Sequence, residues 1–272
     1  IGIIGQGFVG NAVYQKFNNH FSVDTFDIDP SKSNASYEKV IQNKIIFICL
    51  PTPMNLDGSC NTSIVEGEIE KLDKLGDYTI VVKSTIIPGT TKAWNKKYNS
   101  DIVFNPEFLT EKNAVKDFEN QKHIVLGGPE NATEKIKKVF KLVFNKAKIS
   151  CVDETSAEFL KYYLNTFLAV KVSFANEMYQ LSEKLGVNYD NLLSMVLEDE
   201  RIGKTHLNVP GHDGDFGYGG HCFPKDTSAL IKLTNELGVV NNVLKASEAT
   251  NTKVRKNKDW EKMKGRAVLW EK

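Results

Sequence analysis

Ile1-Gly2-Ile3-Ile4-Gly5-Gln6-Gly7-Phe8-Val9-Gly10 opens the chain, and its reading decides the fold. A β-branched run leads directly into G-x-G-x-x-G, and an amphipathic helical pattern, Asn11–Phe17, follows it. Alone the glycine pattern is weak; a strand before it and a helix after it give it context. Such glycines permit a tight strand-to-helix turn and let backbone approach a pyrophosphate. The N–H groups and dipole of the helix N-terminus then attract the anion. Asp27 lies at the end of the next β-branched run, Ser22–Ile28. An acid there binds ribose hydroxyls and repels a 2′-phosphate, which favours NAD over NADP. Gly5, Gln6, Gly7, Phe8, Val9, Gly10 and Asp27 are therefore expected at the cofactor. Asp29 is a neighbouring candidate for the ribose, and Lys32 is placed to reach the cofactor.

Outward from this turn, short apolar runs alternate with helical patterns. Lys44–Leu50, Thr79–Lys83, Asp101–Phe104 and His123–Leu126 continue the series, each Val/Ile/Phe-rich as buried parallel strands are. The alternation predicts an α/β fold, a doubly wound Rossmann-like sheet over residues 1–152. From Asp153 the character changes. Glu154–Leu185 lacks Pro and Gly and repeats apolar residues at helical spacing, which predicts one long central helix. Tyr189–Glu198, Asp226–Leu237 and Val243–Lys256 read as further helices around a glycine-rich loop at 203–224. An all-α domain is thus expected over 153–250, with 251–272 a tail or the start of another domain.

The 272 residues suit about two domains. A net charge of +1 gives no electrostatic reason to expect nucleic acid. No apolar run suits a membrane span, and no secretory signal is visible, so the expected location is cytoplasmic. The chain begins in mid-strand, so an initiator Met is expected to be missing. The four cysteines form no C-x-x-C pair, and neither a metal site nor a disulfide scaffold is expected.

The segment Phe216-Gly217-Tyr218-Gly219-Gly220-His221-Cys222-Phe223-Pro224-Lys225-Asp226 bears the most chemistry. It sets a cysteine just before a predicted helix, near a lysine. Both neighbours raise a thiolate fraction, and the glycines admit a ligand close to backbone. On local sequence alone, a small cysteine buried in a turn is an equal reading. Cys49 in an apolar run, Cys60 in a loop and Cys151 at the end of a further predicted strand read as structural.

This segment resembles the cysteine motif of the nucleotide-sugar 6-dehydrogenases, above all those acting on UDP-glucose. Other segments are similar to the same family in the same order. Lys83-Ser84-Thr85 with Pro88-Gly89-Thr90 resembles K-S-T-x-x-P-G-T, and Asn105-Pro106-Glu107-Phe108-Leu109-Thr110-Glu111 resembles N-P-E-F-L-x-E. Lys161 and Asn165 fit K-x-x-x-N, and Asp199-Glu200-Arg201-Ile202-Gly203 resembles D-x-R-I-G. The resemblance spans residues 1 to about 250. It implies NAD-dependent four-electron oxidation of the C6 alcohol of a UDP-sugar, UDP-glucose to UDP-glucuronate, and a homodimer built on the long helix. The first oxidation gives an aldehyde, which needs a nucleophile before the second. A thiolate forms a thiohemiacetal, then a thioester that water hydrolyses.

Carried over residue by residue, the resemblance makes Cys222 the nucleophile. Lys161 and Asn165, four apart on one helix face, stabilise the oxyanion. Asp226 acts with a water as general base or polarises Lys161. Glu107 serves as base or water activator, and Thr85 positions substrate or water. Thr52, Thr85, Glu111 and Lys225 fall to the cofactor side; Lys225 is also placed to reach carboxylates around the site, and a solvated Lys225 is the competing reading. Glu107, Phe108, Leu109, Glu111, Lys161, Asn165, Phe216 and Gly219 fall to the substrate. Arg201 is expected to reach the substrate of a neighbouring subunit.

Two departures qualify the assignment. G-G-H-C with His221 also occurs in dehydrogenases for N-acetylated UDP sugars, whereas Phe223-Pro224-Lys225-Asp226-Thr227 favours the UDP-glucose group. Family members carry a third, nucleotide-holding domain of ~100–150 residues, and a short form lacking it is expected. Residues 208–215, longer than the usual approach to the loop, are expected to cover the nucleotide. The alternatives are a dehydrogenase for GDP-mannose or a UDP-N-acetyl sugar, a two-electron β-hydroxyacid dehydrogenase, and a non-catalytic NAD-binding protein. The second needs no cysteine in a glycine loop. The third has no chemical reason to keep Cys222, Lys161, Asn165, Glu107 and Asp226 together.

Overall fold

A computed structural model describes residues 1–270, and the chain forms two compact units. Ile1–Thr52 with Thr62–Lys161 make the first; Pro53–Asn61 with the residues from Tyr162 onward make the second.

The first unit alternates β1 (Gly2–Ile4), α1 (Phe8–Phe17), β2 (Asp24–Phe26), α2 (Tyr37–Val40), β3 (Ile45–Ile48), α3 (Ser63–Leu75), β4 (Thr79–Val82), α4 (Thr90–Lys97), β5 (Asp101–Phe104), α5 (Ala114–Glu119), β6 (His123–Gly127), α6 (Glu130–Val143) and β7 (Lys148–Val152). The strands form one sheet in the order β2-β1-β3-β4-β5-β6-β7. Every pairing is parallel except β5 with β6. The expected doubly wound α/β sheet is present. Its central strands β1, β3, β4 and β5 are mostly apolar and buried because both faces are covered. Phe47 enters one core with Phe17, Phe118 and Phe140, while its neighbours Ile46 and Ile48 enter the other with Ile80 and Phe104. That is the two-residue period of a strand, with both faces dry.

Helix α7 (Glu154–Leu185) runs for 32 residues without interruption. The first unit ends inside it, at Lys161, rather than at the expected boundary of 152. The reason is packing: Ala157 and Leu160 join the core of the first unit, and Glu158 is fully buried. The Glu158 carboxylate accepts the N–H groups of Gly89 (2.5 Å) and Thr91 (2.7 Å), capping the N-terminus of α4. Burial nevertheless raises its pKa to about 7.

The second unit contains the rest of α7, then α8 (Tyr189–Val196), α9 (Phe223–Glu236) and α10 (Asn242–Val254). Helix α9 starts earlier than the expected Asp226 because Pro224, with its fixed φ, suits the first turn. Cys222 thereby becomes the N-cap residue. Residues 251–270 belong to this unit. Met54 N–H donates to Ala267 O (2.8 Å), Leu269 N–H donates to Met54 O (3.1 Å), and Met54, Trp260, Ala267 and Val268 close a small apolar cluster. Among the described residues, no helix is long and apolar enough to cross a membrane.

Glu158 yields a test of this packing. Its folded pKa lies above the ordinary 4.5, so its contribution to stability is full below about pH 4.5 and is lost as pH rises through about 7. Glu158→Gln removes that dependence. Urea unfolding between pH 4.5 and 8 should show the variant gaining on wild type by roughly 2–3 kcal/mol with rising pH. A pH-independent difference would refute the titration.

Candidate active site

The glycine turn has the form a dinucleotide requires. A Cβ at Gly10 would collide with the Gly5 carbonyl, so this glycine serves close packing of α1 against the turn. Gly7 differs. Its φ of −67° is open to any residue, and a Cβ there would meet nothing within 4 Å. The protein's own packing does not demand a glycine at 7; the free space lies where a pyrophosphate would meet the N-terminus of α1, which no side chain caps. Asp27 follows β2, and its carboxylate accepts the N–H groups of Gln6 (2.6 Å) and Asp29 (2.9 Å), tying the turn to the second strand. Lys32 pairs with Asp29 at 3.2 Å, both about half exposed. Thr52 Oγ1 donates to the Thr85 carbonyl (2.7 Å), joining the loops that follow β3 and β4.

Beyond β5 lies a buried charge cluster. The Lys161 ammonium donates to Glu107 Oε1 at 3.0 Å, and both side chains are almost wholly buried. Leu109 N–H donates to the other carboxylate oxygen (2.8 Å). Burial opposes ionisation of Glu107, but the Lys161 ammonium and the Leu109 N–H outweigh it and hold the pKa below the ordinary carboxylate value. The Lys161 ammonium also lies 5.4 Å from the centre of the Phe108 ring. Leu109 packs its side chain on the core, and Glu111 is exposed on a short 3₁₀ turn, outside the buried cluster. Lys83 donates to Asn105 Oδ1 (2.7 Å), and burial lowers its pKa to about 8.

In the second unit, Asp226 is the hub. Its carboxylate accepts from Asn165 Nδ2 (2.7 Å) and from Lys225 Nζ (2.6 Å), and all three residues are buried. Lys225 is therefore not a solvated lysine. Burial works against its charge, but Asp226 and the sulfurs of Cys60 and Cys222 hold its pKa above the ordinary lysine value. Cys222 sits half-buried at the N-cap of α9, beside this cation. Cys49 is core material, its pKa pushed up to about 12 by burial. Phe216 packs on Tyr179, and a side chain at Gly219 would strike Arg255 and Asp259. Arg201 is exposed and pairs with Asp199. It also lines a groove of about 810 Å³ with Phe167, Phe174, Met178, Leu181 and Leu185 of α7. Among the described residues, no cluster of three or more His, Cys, Asp or Glu side chains suits a metal ion.

Sequence reading quoted Lys83 and Asn105 within motifs but gave them no role, and it passed over Glu158, Asn251, Arg255 and Asp259. Glu158 had a signal, an acid three residues before Lys161 and hence on the same helix face. Arg255 had only Asp259, four residues on, as a local signal; its other carboxylate partners, Asp213 and Asp215, lie about 40 residues back.

Fold and turn define a dinucleotide-binding α/β protein with a helical second unit. Residues 31–147 match the NAD binding domain, and residues 155–253 the central domain, of the UDP-glucose/GDP-mannose dehydrogenase family. The chain belongs to that family, and its first unit is the family's NAD-binding domain. It is 32% identical over 252 residues to the UDP-glucose 6-dehydrogenase of Rickettsia bellii, covering 88% of this chain and 56% of that protein. To the UDP-glucose 6-dehydrogenase of Campylobacter jejuni it is 30% identical, covering 92% of this chain and 71% of that one. A UDP-glucose dehydrogenase structure from Pyrobaculum islandicum superposes with a TM-score of 0.83 at 30% identity, covering 93% of this chain and 67% of that one. The chain thus spans little more than half of the first relative and about two-thirds of the solved structure.

The Lys161–Glu107 pair generates a second test. Lys161→Met leaves a buried carboxylate without its cation and should cost about 3–5 kcal/mol in denaturant unfolding. Adding Glu107→Gln should recover at least half of that loss. Strictly additive losses would mean the two groups are not coupled.

Proposed function

We propose that this chain is an NAD-dependent nucleotide-sugar 6-dehydrogenase that takes the C6 alcohol of UDP-glucose through the aldehyde to the carboxylate. The observation that carries the reading is Cys222 at the N-cap of α9 beside the buried Lys225–Asp226–Asn165 cluster. Bound NAD would accept two electrons at each of the two oxidations, held by Gly5–Gly10 and Asp27 with the loop residues Thr52 and Thr85.

The remaining chemistry belongs to side chains. Asp226, through a water, takes the proton of the C6 hydroxyl. The helix N-terminus and the Lys225 cation favour the Cys222 thiolate. Its sulfur adds to the aldehyde carbon, and the carbonyl electron pair moves to oxygen. Lys161 and Asn165, one turn apart on α7, donate to that oxyanion. The same donors serve again when water attacks the thioester and the Cys222 thiolate departs. Glu107, kept anionic by Lys161, orients that water and holds the ammonium in place. Substrate contacts fall to Phe108, the backbone of Leu109, Phe216 and Gly219, with Glu111 on the cofactor side. Phe223-Pro224-Lys225-Asp226-Thr227 supports UDP-glucose over an N-acetylated UDP sugar.

We further propose a homodimer. The apolar groove along α7, with Phe174 57% and Leu185 68% exposed, is the kind of surface a second copy covers, and Arg201 on it would then reach the partner's substrate.

With UDP-glucose the expected yield is two NADH per sugar consumed, measured by absorbance against product acid. A ratio of one would favour the two-electron alternative, and no turnover with any nucleotide sugar would sink the reading. Cys222→Ser should retain aldehyde formation and lose at least 99% of acid formation, since the covalent step is gone. Phe174→Arg should shift the sedimenting species from dimer to monomer; an unchanged mass would remove this groove as the interface.

A further inference from the structure

Three consecutive residues before Cys222 are each met by a side chain from the end of α10 or just beyond it. Asn251 Oδ1 accepts the Tyr218 N–H (2.7 Å), while Asn251 Nδ2 donates to the Tyr218 carbonyl (3.0 Å). Arg255 and Asp259 fill the space that a side chain on Gly219 would need. Both Asp259 oxygens accept the Gly220 N–H, at 3.2 and 3.0 Å. Gly220 is two residues from Cys222.

The Arg255 guanidinium is itself fixed. Only 2% of its side chain is exposed, and its nitrogens face Asp213 (2.7 Å), Asp215 (3.5 Å) and Asp259 (3.1 Å). Its Nε also donates to the Asn257 carbonyl (2.8 Å). A buried guanidinium without partners would be costly, and its planar fork cannot be replaced by an ammonium at the same three carboxylates. Arg255 therefore joins the 213–215 turn, the glycine loop and the segment after α10 into one charged knot.

We propose that Arg255 and Asp259 are positioning residues for Cys222, holding the glycine loop so that the sulfur stays at the N-terminus of α9 beside Lys225. The proposal rests on the nucleophile role given to Cys222. The contacts fall on the backbone of the cysteine motif itself, so a displacement at 255–259 is transmitted to the sulfur. It also explains Gly219 without a ligand: any side chain there would break the knot.

The test reads the sulfur directly and uses no nucleotide sugar, so it is independent of whether the substrate reading holds. Iodoacetamide labelling of Cys222 in the full chain is followed by peptide mass spectrometry for wild type, Arg255→Lys and Asp259→Asn. At pH 7 the Cys222 rate should fall about tenfold in both variants, with Cys151 labelling unchanged. A rate within about twofold of wild type, or a faster one, in a variant with wild-type circular dichroism overturns the proposal. Hydrogen–deuterium exchange on the unaltered chain decides the matter if both variants unfold. The Tyr218 and Gly220 amides should then be as protected as α10; exchange as fast as that of the Gly214 turn overturns it.

Discussion

Helix α7 carries polar groups into dry surroundings, and that constraint shapes both units. Taking a carboxylate or an ammonium out of water costs several kcal/mol unless a partner with good geometry replaces the lost hydration. Glu158 finds the amides at the start of α4, and Lys161 finds Glu107. Asn165, one turn further on, finds Asp226. In the first unit, the i, i+3 pair Glu158 and Lys161 meets two different partners. A helix rotated or slid by one residue would leave one acid and one base buried without compensation. The electrostatics thus fix the register of the helix more sharply than its apolar residues do, since Leu and Phe tolerate small displacements.

The same constraint explains the protonation states. Glu107 sits near two buried lysines, Lys161 and Lys83, and stays anionic despite its burial. Lys83 donates to the side-chain and backbone oxygens of Asn105, both uncharged, and burial moves it to about 8. In the second unit, Lys225 has Asp226 in direct contact and remains a firm cation. One lysine is thus made titratable near neutrality and another is not, and the difference lies in the partner each is given. A cation that does not titrate is the suitable neighbour for a thiolate, because the pH range over which the sulfur is activated then depends on the sulfur alone.

Much of this was legible in the sequence. The glycine turn, Asp27 and the alternating runs predicted the sheet, because a period of two between dry faces and a strand–turn–helix join are local properties. The motif residues Cys222, Lys161, Asn165, Asp226 and Glu107 were also named in advance. What local reading missed is non-local. Lys225 reads as a cofactor contact, a partner of nearby carboxylates or a solvated lysine, and only the fold, which buries Asp226 with it, decides among these. Residues 251–259 read as a tail because Arg255 meets Asp213 and Asn251 meets Tyr218 only after the chain has folded back. The boundary within α7 was hidden for a related reason: helical periodicity is continuous across it, and only the change of packing partners marks it.

The glycines sharpen the distinction between scaffold and ligand space. Gly10 and Gly219 are demanded by the protein, since a methyl group would strike the Gly5 carbonyl in one case and the Arg255–Asp259 pair in the other. Gly7 is not demanded in this way; its backbone is ordinary and its surroundings are open. A residue type that folding does not require, placed at the uncapped N-terminus of a helix, is explained by what must approach it from outside. For an anion drawn by helix amides, a side chain at position 7 would stand in the way of the backbone contact that binds it. An alanine at Gly10 would therefore act through stability, whereas one at Gly7 would act through cofactor affinity with the fold intact.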